Sequence, residues 1–593
     1  MKKENPPNTD NIRHSLAHIL AMAVLKQYPK TKLGIGPVIE NGFYYDFDLG
    51  QSADERGQNP KRGQTRTLNE SDFPEIEKTI REIIKQNLDF IGEAVSPTRA
   101  KKLFADQPFK LELIKDFVKE KKDLTVYRTG SDFFDLCRGG HVKNTSEIPP
   151  DAFKLVSVAG AYWKGDEKND MLTRVYAIAF ETKEELDRHL ALLEEAKKRD
   201  HKRIGLELDL FTFSDLVGPG LPLWTPKGTI LRNILDDFVW KLRKERGYQQ
   251  VDIPHITKKD LYEKSGHWEK FQNELFKIET REGHIFAMKP MNCPHHTQIF
   301  ARRLWSYRDM PQRYASTTKV YRDEQTGELA GLSRVRAITQ DDAHVFCRQS
   351  QTKEEILKIW DIVHEFYGKA GFSLRTRLSL SDPKNLEAYL GSREVWNEAE
   401  EMLRTILKEK NSGAFEVPGE AAFYGPKIDF LASDSLGREW QVATIQLDMN
   451  LPERFDLSCI NEKSERERIV MIHAAIMGSI ERYLSILIEH FAGAFPFWLA
   501  PTQILILTIN DSVKSYAGEI KKRLEAEGVR VELDDRNETI GKKIREGELQ
   551  KIPYLLVIGP REAESKTIAV RERGKGDRGG MTLESFLEHL KEI

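Results

Sequence analysis

The chain has 593 residues, which at the usual size of a domain corresponds to roughly three to five folding units. Its 91 basic and 93 acidic residues almost cancel, so any contact with nucleic acid must come from local basic patches. No apolar run approaches the ~20 residues that span a bilayer, and four scattered cysteines (137, 293, 347 and 459) are too few for a disulfide framework. The composition excludes a membrane-spanning or disulfide-stapled protein and predicts a reduced, cytoplasmic one.

The amino-terminal region begins with a polar tail, residues 1–10, that lacks the apolar stretch of a signal peptide. From Asn11 to Tyr28 the apolar residues recur at helical spacing, which predicts a helix that Pro29 ends. Residues 51–67 are rich in Gly, Gln, Arg and Asp and show no periodicity, which predicts a surface-loop insertion.

A polar helix is predicted over residues 182–204, because Thr182 and Glu185 match the T-x-x-E capping box that starts a helix. Its charges favour a solvated linker between domains over an RNA-binding surface. Beyond it, residues 205–498 form a long, strand-rich region. After residue 499, buried-strand runs alternate with helices, which predicts a small α/β domain.

Within the long region, Gly228 to Arg246 predicts a strong helix that Gly247 ends. Its predicted buried face consists of the apolar residues Ile230, Ile234, Phe238 and Leu242. A hairpin is predicted where Lys427 to Ala432 and Trp440 to Leu447 flank a turn.

Two segments of the amino-terminal region offer a candidate site. His14 and His18 stand four residues apart, which on a helix places both imidazoles on one face. That face is predicted to lie opposite the apolar stripe of Ile12, Leu16, Ile19 and Ala23. A zinc-protease helix would carry Glu after the first His, and Ser15 stands there instead.

Far downstream come a carboxylate, a thiol and a third imidazole, contributed by Asp135, Cys137 and His141. Either segment alone is weak evidence, since two surface histidines on a helix are usually uninformative. Together they suit a bound metal or a positioned hydrolytic water.

A second set lies in the long region: Cys293 on a predicted turn, His344 on a predicted strand, and His473 at the predicted start of a helix. Cysteine and histidine are good zinc ligands, and three protein ligands leave a coordination position open for substrate. The spacing is too wide for the sequence alone to show that the three side chains meet.

Arginines on rigid elements form a third set, with Arg322 and Glu324 on a predicted strand, Arg334 and Arg336 after a loop, and Arg482 on a predicted helix. A guanidinium gives bidentate bonds to phosphate and keeps its charge. A single arginine is nevertheless more often an ion-pair partner.

These pieces resemble a known family. The order of a helix and strand before Pro254, the Arg322–Glu324 pair, and Gly478 to Arg482 resembles the three signature motifs of class II aminoacyl-tRNA synthetases. The exact residues of six segments narrow the match, and they resemble the threonyl-tRNA synthetase family. The segments are HSLAH (14–18), CRGGH (137–141), KPMNCP (289–294), TQDDAH (339–344), FYGPKID (423–429) and MIHAAIMGSIER (471–482). The resemblance covers nearly the whole chain from about Asn11 to Ile593.

The resemblance implies a multidomain α+β and α/β fold. An α+β editing domain would occupy residues 11–181 and the linker helix 182–204. A class II catalytic domain built on an antiparallel sheet would occupy 205–498, and an α/β anticodon-binding domain 499–593. The region from Gly228 to Pro254 implies a homodimer.

The resemblance also implies roles for single residues. One Zn²⁺ per subunit would be held by Cys293, His344 and His473. ATP, with Mg²⁺, would be bound by Arg322 at the α-phosphate, Arg482 at the γ-phosphate, Glu324 and Arg334. Threonine would be bound by Gln340, Asp342, Tyr424 and Gln441, and transfer to tRNA(Thr) would involve His267. Editing of mischarged seryl-tRNA would use His14, His18, Asp135, Cys137 and His141, and the anticodon would be read by Asn537, Arg545, Glu562 and Arg571.

The chemistry of threonine selection connects the expected zinc site with the expected editing site. Threonine offers zinc an amino group and a hydroxyl, and a site built for the hydroxyl rejects valine strongly. Serine keeps the hydroxyl, and losing one methyl group costs only ~1–3 kcal/mol, which is too little for translation. The zinc site therefore explains why a second, hydrolytic site is expected.

The sequence departs from the family pattern in three places. Many relatives begin with a small ubiquitin-like domain, which this chain is expected to lack. Residues 51–67 look like an insertion, and Ala474 stands where relatives often have Arg.

Three other functions were weighed. An alanyl enzyme with a similar editing module is disfavoured by KPMNCP, TQDDAH and the carboxy-terminal α/β pattern. A non-catalytic RNA-binding regulator is disfavoured because the phosphate arginines and zinc ligands are all present. A metal-dependent hydrolase centred on His14 and His18 leaves most of the chain unexplained.

Overall fold

The computed structural model describes residues 8–50, 68–166 and 168–592. The predicted insertion at 51–67 and most of the predicted tail lie outside the described residues. Contacts divide the chain into two compact units, residues 1–194 and 195–593. Across the described residues, no helix is both long and apolar enough to cross a membrane.

The amino-terminal unit combines helices with two antiparallel sheets. Its helices are α1 Thr9–Gln27, α2 Phe73–Ile84, α3 Pro97–Leu103 and α4 Pro108–Lys119. Its strands are β1 Lys32–Leu33, β2 Val38–Ile39, β3 Gly42–Asp48, β4 Phe90–Ala94, β5 Thr125–Thr129, β6 Phe133–Leu136, β7 Phe153–Tyr162 and β8 Met171–Ala179. One sheet has the order β1-β3-β8-β7, with β2 paired to β3, and the other has the order β4-β5-β6.

Helix α1 is buried on almost every side, which contradicts the prediction of one apolar stripe with the histidines opposite. The small residues Ala17, Ala21 and Ala23 are fully buried, and His18 is only 2% exposed. Small side chains allow α2 and β3 to pack closely around α1. His18 therefore lies inside the unit, where an unpaired charge would be costly.

The predicted linker helix is wrong as a single element, because residues 182–204 contain two helices. These are α5 Lys183–Arg199 and α6 His201–Glu207, separated at Asp200, whose carboxylate accepts from the Lys202 amide at 2.8 Å. The predicted capping box is half formed. The Thr182 hydroxyl accepts from the Glu185 amide at 3.2 Å, while the Glu185 carboxylate accepts from the amide of Glu181.

The larger unit is built around an eight-stranded sheet. Its further helices are α7 Pro226–Glu245, α8 Lys259–Ser265, α9 His267–Lys270, α10 Cys293–Ala301, α11 Thr352–Lys369, α12 Arg393–Glu409, α13 Asn450–Arg454 and α14 Ile480–His490. Its strands are β9 Phe211–Thr212, β10 Leu223–Trp224, β11 Gln249–Gln250, β12 Ile256–Lys258, β13 Lys277–Glu279, β14 Ile285–Met288, β15 Trp305–Ser306, β16 Gln312–Tyr321, β17 Ala337–Cys347, β18 Leu374–Leu380, β19 Phe415–Pro418, β20 Lys427–Ser433, β21 Glu439–Asp448, β22 Ser458–Ile460, β23 Arg466–Arg468 and β24 Val470–Ala475. The main sheet has the order β11-β16-β17-β24-β21-β20-β18-β19 and is antiparallel except at its two outer pairs. The antiparallel sheet expected for residues 205–498 and the β20–β21 hairpin are both confirmed.

Helix α7 forms as predicted, but its buried face is shifted by one residue. Leu231, Leu235 and Val239 are buried with Leu242, whereas Ile230 is exposed. Both apolar rows have helical spacing, so the sequence alone cannot tell which row faces the sheet.

Local structure at three site segments also differs from the prediction. Cys293 is the first residue of α10 rather than part of a turn. His473 lies inside β24, all of whose residues are buried between β17 and β21, rather than opening a helix. Arg322 and Glu324 follow the end of β16 instead of lying on it.

Asp341 of β17 ties three elements together from the face of the sheet that packs on α7. Its carboxylate forms an ion pair with Arg243 of α7. It also accepts from the amides of Ile476 and Met477 at 2.8 and 2.9 Å, at the end of β24. All of these groups are buried, so each bond forms away from competing water.

The last part of the larger unit has its own core around a mixed five-stranded sheet. Its strands are β25 Ile504–Thr508, β26 Val531–Asp534, β27 Tyr554–Ile558, β28 Thr567–Glu572 and β29 Gly576–Thr582, in the order β26-β25-β27-β28-β29. Its helices are α15 Lys514–Ala526, α16 Ile540–Leu549, α17 Pro560–Ser565 and α18 Leu583–Lys591. The predicted α/β alternation is confirmed. The antiparallel strands β28 and β29 were not predicted, since the glycines of β29 hide its strand pattern.

Candidate active sites

Cys293, His344 and His473 meet in the larger unit. One ligand atom from each lies within 4.8 Å of the others, and all three side chains are buried. His344 and His473 are opposite one another in the register of β17 and β24, and α10 brings Cys293 against them. The structure thus joins residues that the sequence could only suggest as a set.

The two imidazoles are arranged as metal ligands. His344 Nε2 lies 3.1 Å from His473 Nδ1, close to the roughly 3.3 Å that separates two nitrogens on one tetrahedral zinc. Their other nitrogens face away, with His473 Nε2 at 2.9 Å from Asp448 Oδ2 and His344 Nδ1 at 2.7 Å from His296 Nδ1. Burial lowers the pKa of His344 well below its usual value, so the ring is neutral, the form that binds a metal. The residues fit zinc.

His267 is adjacent to this group. Its Nε2 lies 3.3 Å from Cys293 Sγ and its Nδ1 lies 2.9 Å from Ser265 Oγ. Burial lowers the pKa of His267 to about 3, so the ring is neutral. The same imidazole lines a cleft of about 680 Å³, so it lies between the cluster and this cleft.

The cleft also contains Arg322, Tyr424 and Gln441 from the predicted set. The Arg322 guanidinium stands 5.1 Å from the centre of the Phe271 ring, and the Arg482 guanidinium 5.8 Å from a Trp440 ring. Neither arginine forms an ion pair with a carboxylate anywhere in the described residues. An arginine without a carboxylate partner remains available to an anion.

Arg334 differs from those two arginines. It pairs with Glu324 at 2.7 Å and with Glu328 at 3.2 Å, and about half of its side chain is exposed. Arg334 is therefore an ion-pair partner, which was the alternative to phosphate binding that the sequence could not exclude for any of these arginines.

The predicted threonine-binding residues are held by neighbours. Asp342 accepts a hydrogen bond from the Asn292 amide at 3.0 Å, and burial raises the pKa of Asp342 to about 6. Tyr424 donates to Gln446, and its ring stacks 4.6 Å from that of His473.

The glutamines of the same set sit on strands of the main sheet. Gln441 donates to Asp429 at 2.9 Å and accepts from Arg377 at 2.8 Å. Gln340 forms a bridge to Ser479, which links β17 to the start of α14.

Sequence reasoning missed three residues that support this site. Asn292 lies inside the KPMNCP motif and His296 stands two residues after it, so both polar side chains were visible in the sequence next to Cys293 but were given no role. Asp448 ends β21 and gave no signal, because its role depends on strand pairing rather than on local pattern.

The amino-terminal unit has a second cluster. His14, His18, Cys137 and His141 offer ligand atoms that all lie within 4.8 Å of one another. Cys137 Sγ is 3.4 Å from His14 Nε2 and 3.2 Å from His141 Nε2. Burial raises the pKa of Cys137 to about 11 and lowers that of His141 to about 2, so thiol and imidazole are both uncharged.

Asp135, the fifth predicted member, lies beneath the cluster in a buried ion pair. Its Oδ1 is 2.5 Å from Lys110 Nζ, and its Oδ2 accepts from the Tyr45 hydroxyl at 2.5 Å and lies 3.9 Å from His18 Nε2. Lys110 and Tyr45 are almost inaccessible to solvent. Neither residue was singled out from the sequence, since a lone lysine in α4 carries no pattern that marks it as buried.

The four predicted anticodon residues lie on the last α/β region. Asn537 and Arg545 are exposed. The Glu562 carboxylate accepts from the Gly559 amide at 2.8 Å and caps α17, while Arg571 lies 3.5 Å from Glu548.

A third group that could hold a metal, formed by Asp200, His201 and Glu489, has a structural explanation. His201 Nδ1 bonds Glu489 at 2.7 Å, and its Nε2 accepts from the Leu332 amide at 3.0 Å. Both ring nitrogens are used, so no lone pair remains for an ion.

Three family models match the chain. They are the tRNA synthetase class II core domain (G, H, P, S and T) at residues 276–491, an anticodon binding domain at 503–593, and the threonyl and alanyl tRNA synthetase second additional domain at 124–176. The last model alone does not separate threonyl from alanyl enzymes. The core model does, since alanine is absent from its description.

Relatives match along the full length of the chain. A threonine–tRNA ligase of Gloeobacter violaceus is 47% identical over 100% of this chain and 93% of its own length. One from Porphyromonas gingivalis is also 47% identical, over 98% of this chain and 86% of its own length. Because the first of these matches spans the whole of this chain, every motif described above lies within the matched region.

Solved structures agree. A crystal structure described as the RNA binding domain of threonyl-tRNA synthetase from Cryptosporidium parvum is 38% identical, with a TM-score of 0.63, over 66% of this chain and 98% of its own. Giardia lamblia prolyl-tRNA synthetase, at 18% identity and a TM-score of 0.51 over 66% of this chain and 76% of its own, shares the fold.

Replacing Lys110 with Met is expected to destabilise the amino-terminal unit by about 3–5 kcal/mol, because the buried Asp135 carboxylate would lose its counter-charge. The matched control is Lys164→Met, which removes an exposed pair with Glu112 and Asp116 and is expected to cost under about 1 kcal/mol. Thermal unfolding followed by calorimetry measures both. Equal shifts for the two variants would contradict a buried ion pair.

Proposed function

The chain belongs to the threonine–tRNA ligase family of class II aminoacyl-tRNA synthetases, and we propose that it activates threonine with ATP, transfers it to tRNA(Thr), and hydrolyses mischarged seryl-tRNA(Thr). The observation that carries the proposal is the convergence of Cys293, His344 and His473 beside a cleft that contains Arg322, which forms no ion pair with a carboxylate of the described residues. A Cys/His/His set next to a phosphate-binding arginine is what selection and activation of a hydroxy amino acid require.

Zinc would be held by Cys293 Sγ, His344 Nε2 and His473 Nδ1, and when bound it would offer an open position to the amino and hydroxyl groups of threonine. Asp342, oriented by Asn292, would accept from the amino group of the substrate. Gln340, Tyr424 and Gln441 would complete the pocket.

Activation joins the carboxylate of threonine to the α-phosphate of ATP and expels pyrophosphate. Charge on the phosphate oxygens must be stabilised, and Arg322 at the α-phosphate and Arg482 at the γ-phosphate would do so together with Mg²⁺. Glu324 and Arg334, already joined as an ion pair, would help to place the nucleotide. The neutral ring of His267 at the edge of the cleft would act in the transfer to tRNA.

Editing would take place in the amino-terminal unit. His14, His18, Cys137 and His141 are uncharged and close together, so an imidazole there can accept a proton from water as it attacks the seryl ester. Asp135, paired with Lys110, would keep His18 in orientation. Asn537, Arg545, Glu562 and Arg571 would contact the anticodon.

The protein is proposed to act as a homodimer in the cytoplasm. Exposed apolar side chains accumulate next to and on α7, at Phe213, Leu216, Val217, Leu223 and Ile230, and a second copy would cover them. All four cysteines are free thiols, which fits a reducing compartment.

Amino-acid-dependent exchange of pyrophosphate into ATP tests the central proposal. Threonine is expected to support exchange, serine to support it more weakly, and valine not at all, because valine has no hydroxyl. Absence of exchange with every amino acid, from folded and zinc-loaded protein, would refute the enzymatic function and favour a regulator that kept the fold.

Replacing Cys293 with Ser is expected to lower bound zinc well below one per chain and to reduce threonine activation by at least about 100-fold, because a thiolate ligand is lost. Metal analysis and pyrophosphate exchange measure the two effects. Cys347→Ser is the control, since Cys347 is buried on the same strand as His344 but its Sγ lies against the Thr352 hydroxyl, at 3.9 Å, and is not part of the cluster. A Cys293→Ser protein with full zinc and full activity would disprove the ligand assignment.

Replacing His14 with Ala is expected to slow hydrolysis of seryl-tRNA(Thr) by about 10²–10⁴-fold, the usual contribution of a general base. Threonine activation should be unchanged. Arg482→Ala is the converse control, expected to lose activation and to keep hydrolysis. If His14→Ala hydrolyses seryl-tRNA at the normal rate, the cluster is not the editing site.

A further inference from the structure

His344 is held from behind by a second buried histidine. His344 Nδ1 lies 2.7 Å from Nδ1 of His296 on α10, and His296 Nε2 lies 3.2 Å from the hydroxyl oxygen of Ser316 on β16. The two rings meet edge to face with their centres 4.7 Å apart, and His296 is completely buried. The reaction proposed above gives His296 no task.

The bonds admit a single arrangement of protons when both ligand nitrogens face a metal. His344 Nε2 and His473 Nδ1 must then keep their lone pairs, so each ring carries its proton on the other nitrogen. The proton on His473 Nε2 is accepted by Asp448 at 2.9 Å. The proton on His344 Nδ1 has His296 Nδ1 as its acceptor, which places the proton of His296 on Nε2, facing Ser316.

We propose that His296, oriented by Ser316, is a positioning residue that fixes the tautomer and ring orientation of His344 as a zinc ligand. It serves His344 as Asp448 serves His473. This inference rests on the proposed zinc site. Metal-binding histidines commonly donate their second N–H to such a partner, and loss of the partner weakens metal binding by about 10–100-fold.

The charge balance explains why one partner is a carboxylate and the other a neutral ring. Zinc carries two positive charges, and three anionic groups already lie at the site: the thiolate of Cys293, the carboxylate of Asp448, and Asp342, whose Oδ1 is 3.7 Å from His344 Nε2. A further carboxylate behind His344 would add uncompensated negative charge to a buried site in a low-dielectric interior. A neutral imidazole supplies the acceptor and adds no charge.

His295, the preceding residue on α10, provides a matched comparison. It is also buried, but its Nε2 bonds Thr257 and its ring stands beside Tyr262. It contacts neither His344 nor His473 among the described contacts. Its replacement therefore tests the loss of a buried imidazole from α10 without loss of the bond to a ligand.

The test compares the wild-type protein with His296→Leu, His296→Asn and His295→Leu. Zinc affinity is measured by competition with a chromophoric chelator, and the absorption spectrum of the cobalt-substituted protein reports ligand geometry. His296→Leu is expected to bind zinc about 10–100-fold more weakly and to change the cobalt spectrum. His296→Asn, whose side-chain oxygen replaces the Nδ1 acceptor, is expected to recover most of both, and His295→Leu to match the wild type.

Each outcome decides the matter. If folded His296→Leu has wild-type affinity and a wild-type cobalt spectrum, the inference is wrong while the zinc site stands. If His296→Asn is folded and as weak as His296→Leu, the acceptor bond is not the cause and the inference is again wrong. If the wild-type protein itself binds no zinc, the proposed zinc site fails together with the inference. Circular dichroism establishes folding, and should His296→Leu not fold, His296→Ala, which also lacks the acceptor nitrogen, takes its place in the comparison.

Discussion

The pairing register of β17 with β24 is the constraint on which the site of the larger unit depends. Successive side chains of a strand point to opposite faces, so one face of β17 presents alternate residues, namely Gln340, Asp342 and His344. The register sets His344 directly against His473. A slip of one residue would turn the whole set to the opposite face. Asp341, bound to Arg243 from that opposite face, opposes such a slip.

Much of this could be predicted from the sequence, because strand alternation and helix periodicity are local patterns. They gave the strand through TQDDAH, the β20–β21 hairpin and the carboxy-terminal α/β order. They failed where partners come from afar. Asp448 and Lys110 owe their roles to strand pairing and to packing against distant residues, and α7 carries two apolar rows that periodicity cannot rank. The residues of the Cys293 cluster and of the amino-terminal histidine cluster were named from motifs, and only the fold brings them together.

Charge is managed differently in the two units. The amino-terminal cluster is uncharged, and the buried charges of Lys110 and Asp135 beside it neutralise each other. No bound ion is therefore needed to balance charge there. In the larger unit, Arg322 in the cleft has no carboxylate partner among the described residues. The same is true of Arg482. Uncompensated cations are costly when desolvated and are stabilised once an anion binds. This difference fits the roles proposed above, an uncharged ester at the first site and a polyphosphate at the second.

The chain order of the two clusters bears on how the protein is made. Every member of the histidine cluster lies between His14 and His141, whereas the cleft is lined by residues as late as Gln446 and the cluster beside it includes His473. Domains generally fold as units, the amino-terminal one first, during synthesis. The amino-terminal unit can therefore assemble its cluster on the ribosome before the cleft exists. With the roles proposed above, a growing chain would gain the means to remove a wrong product before it gains the means to make one.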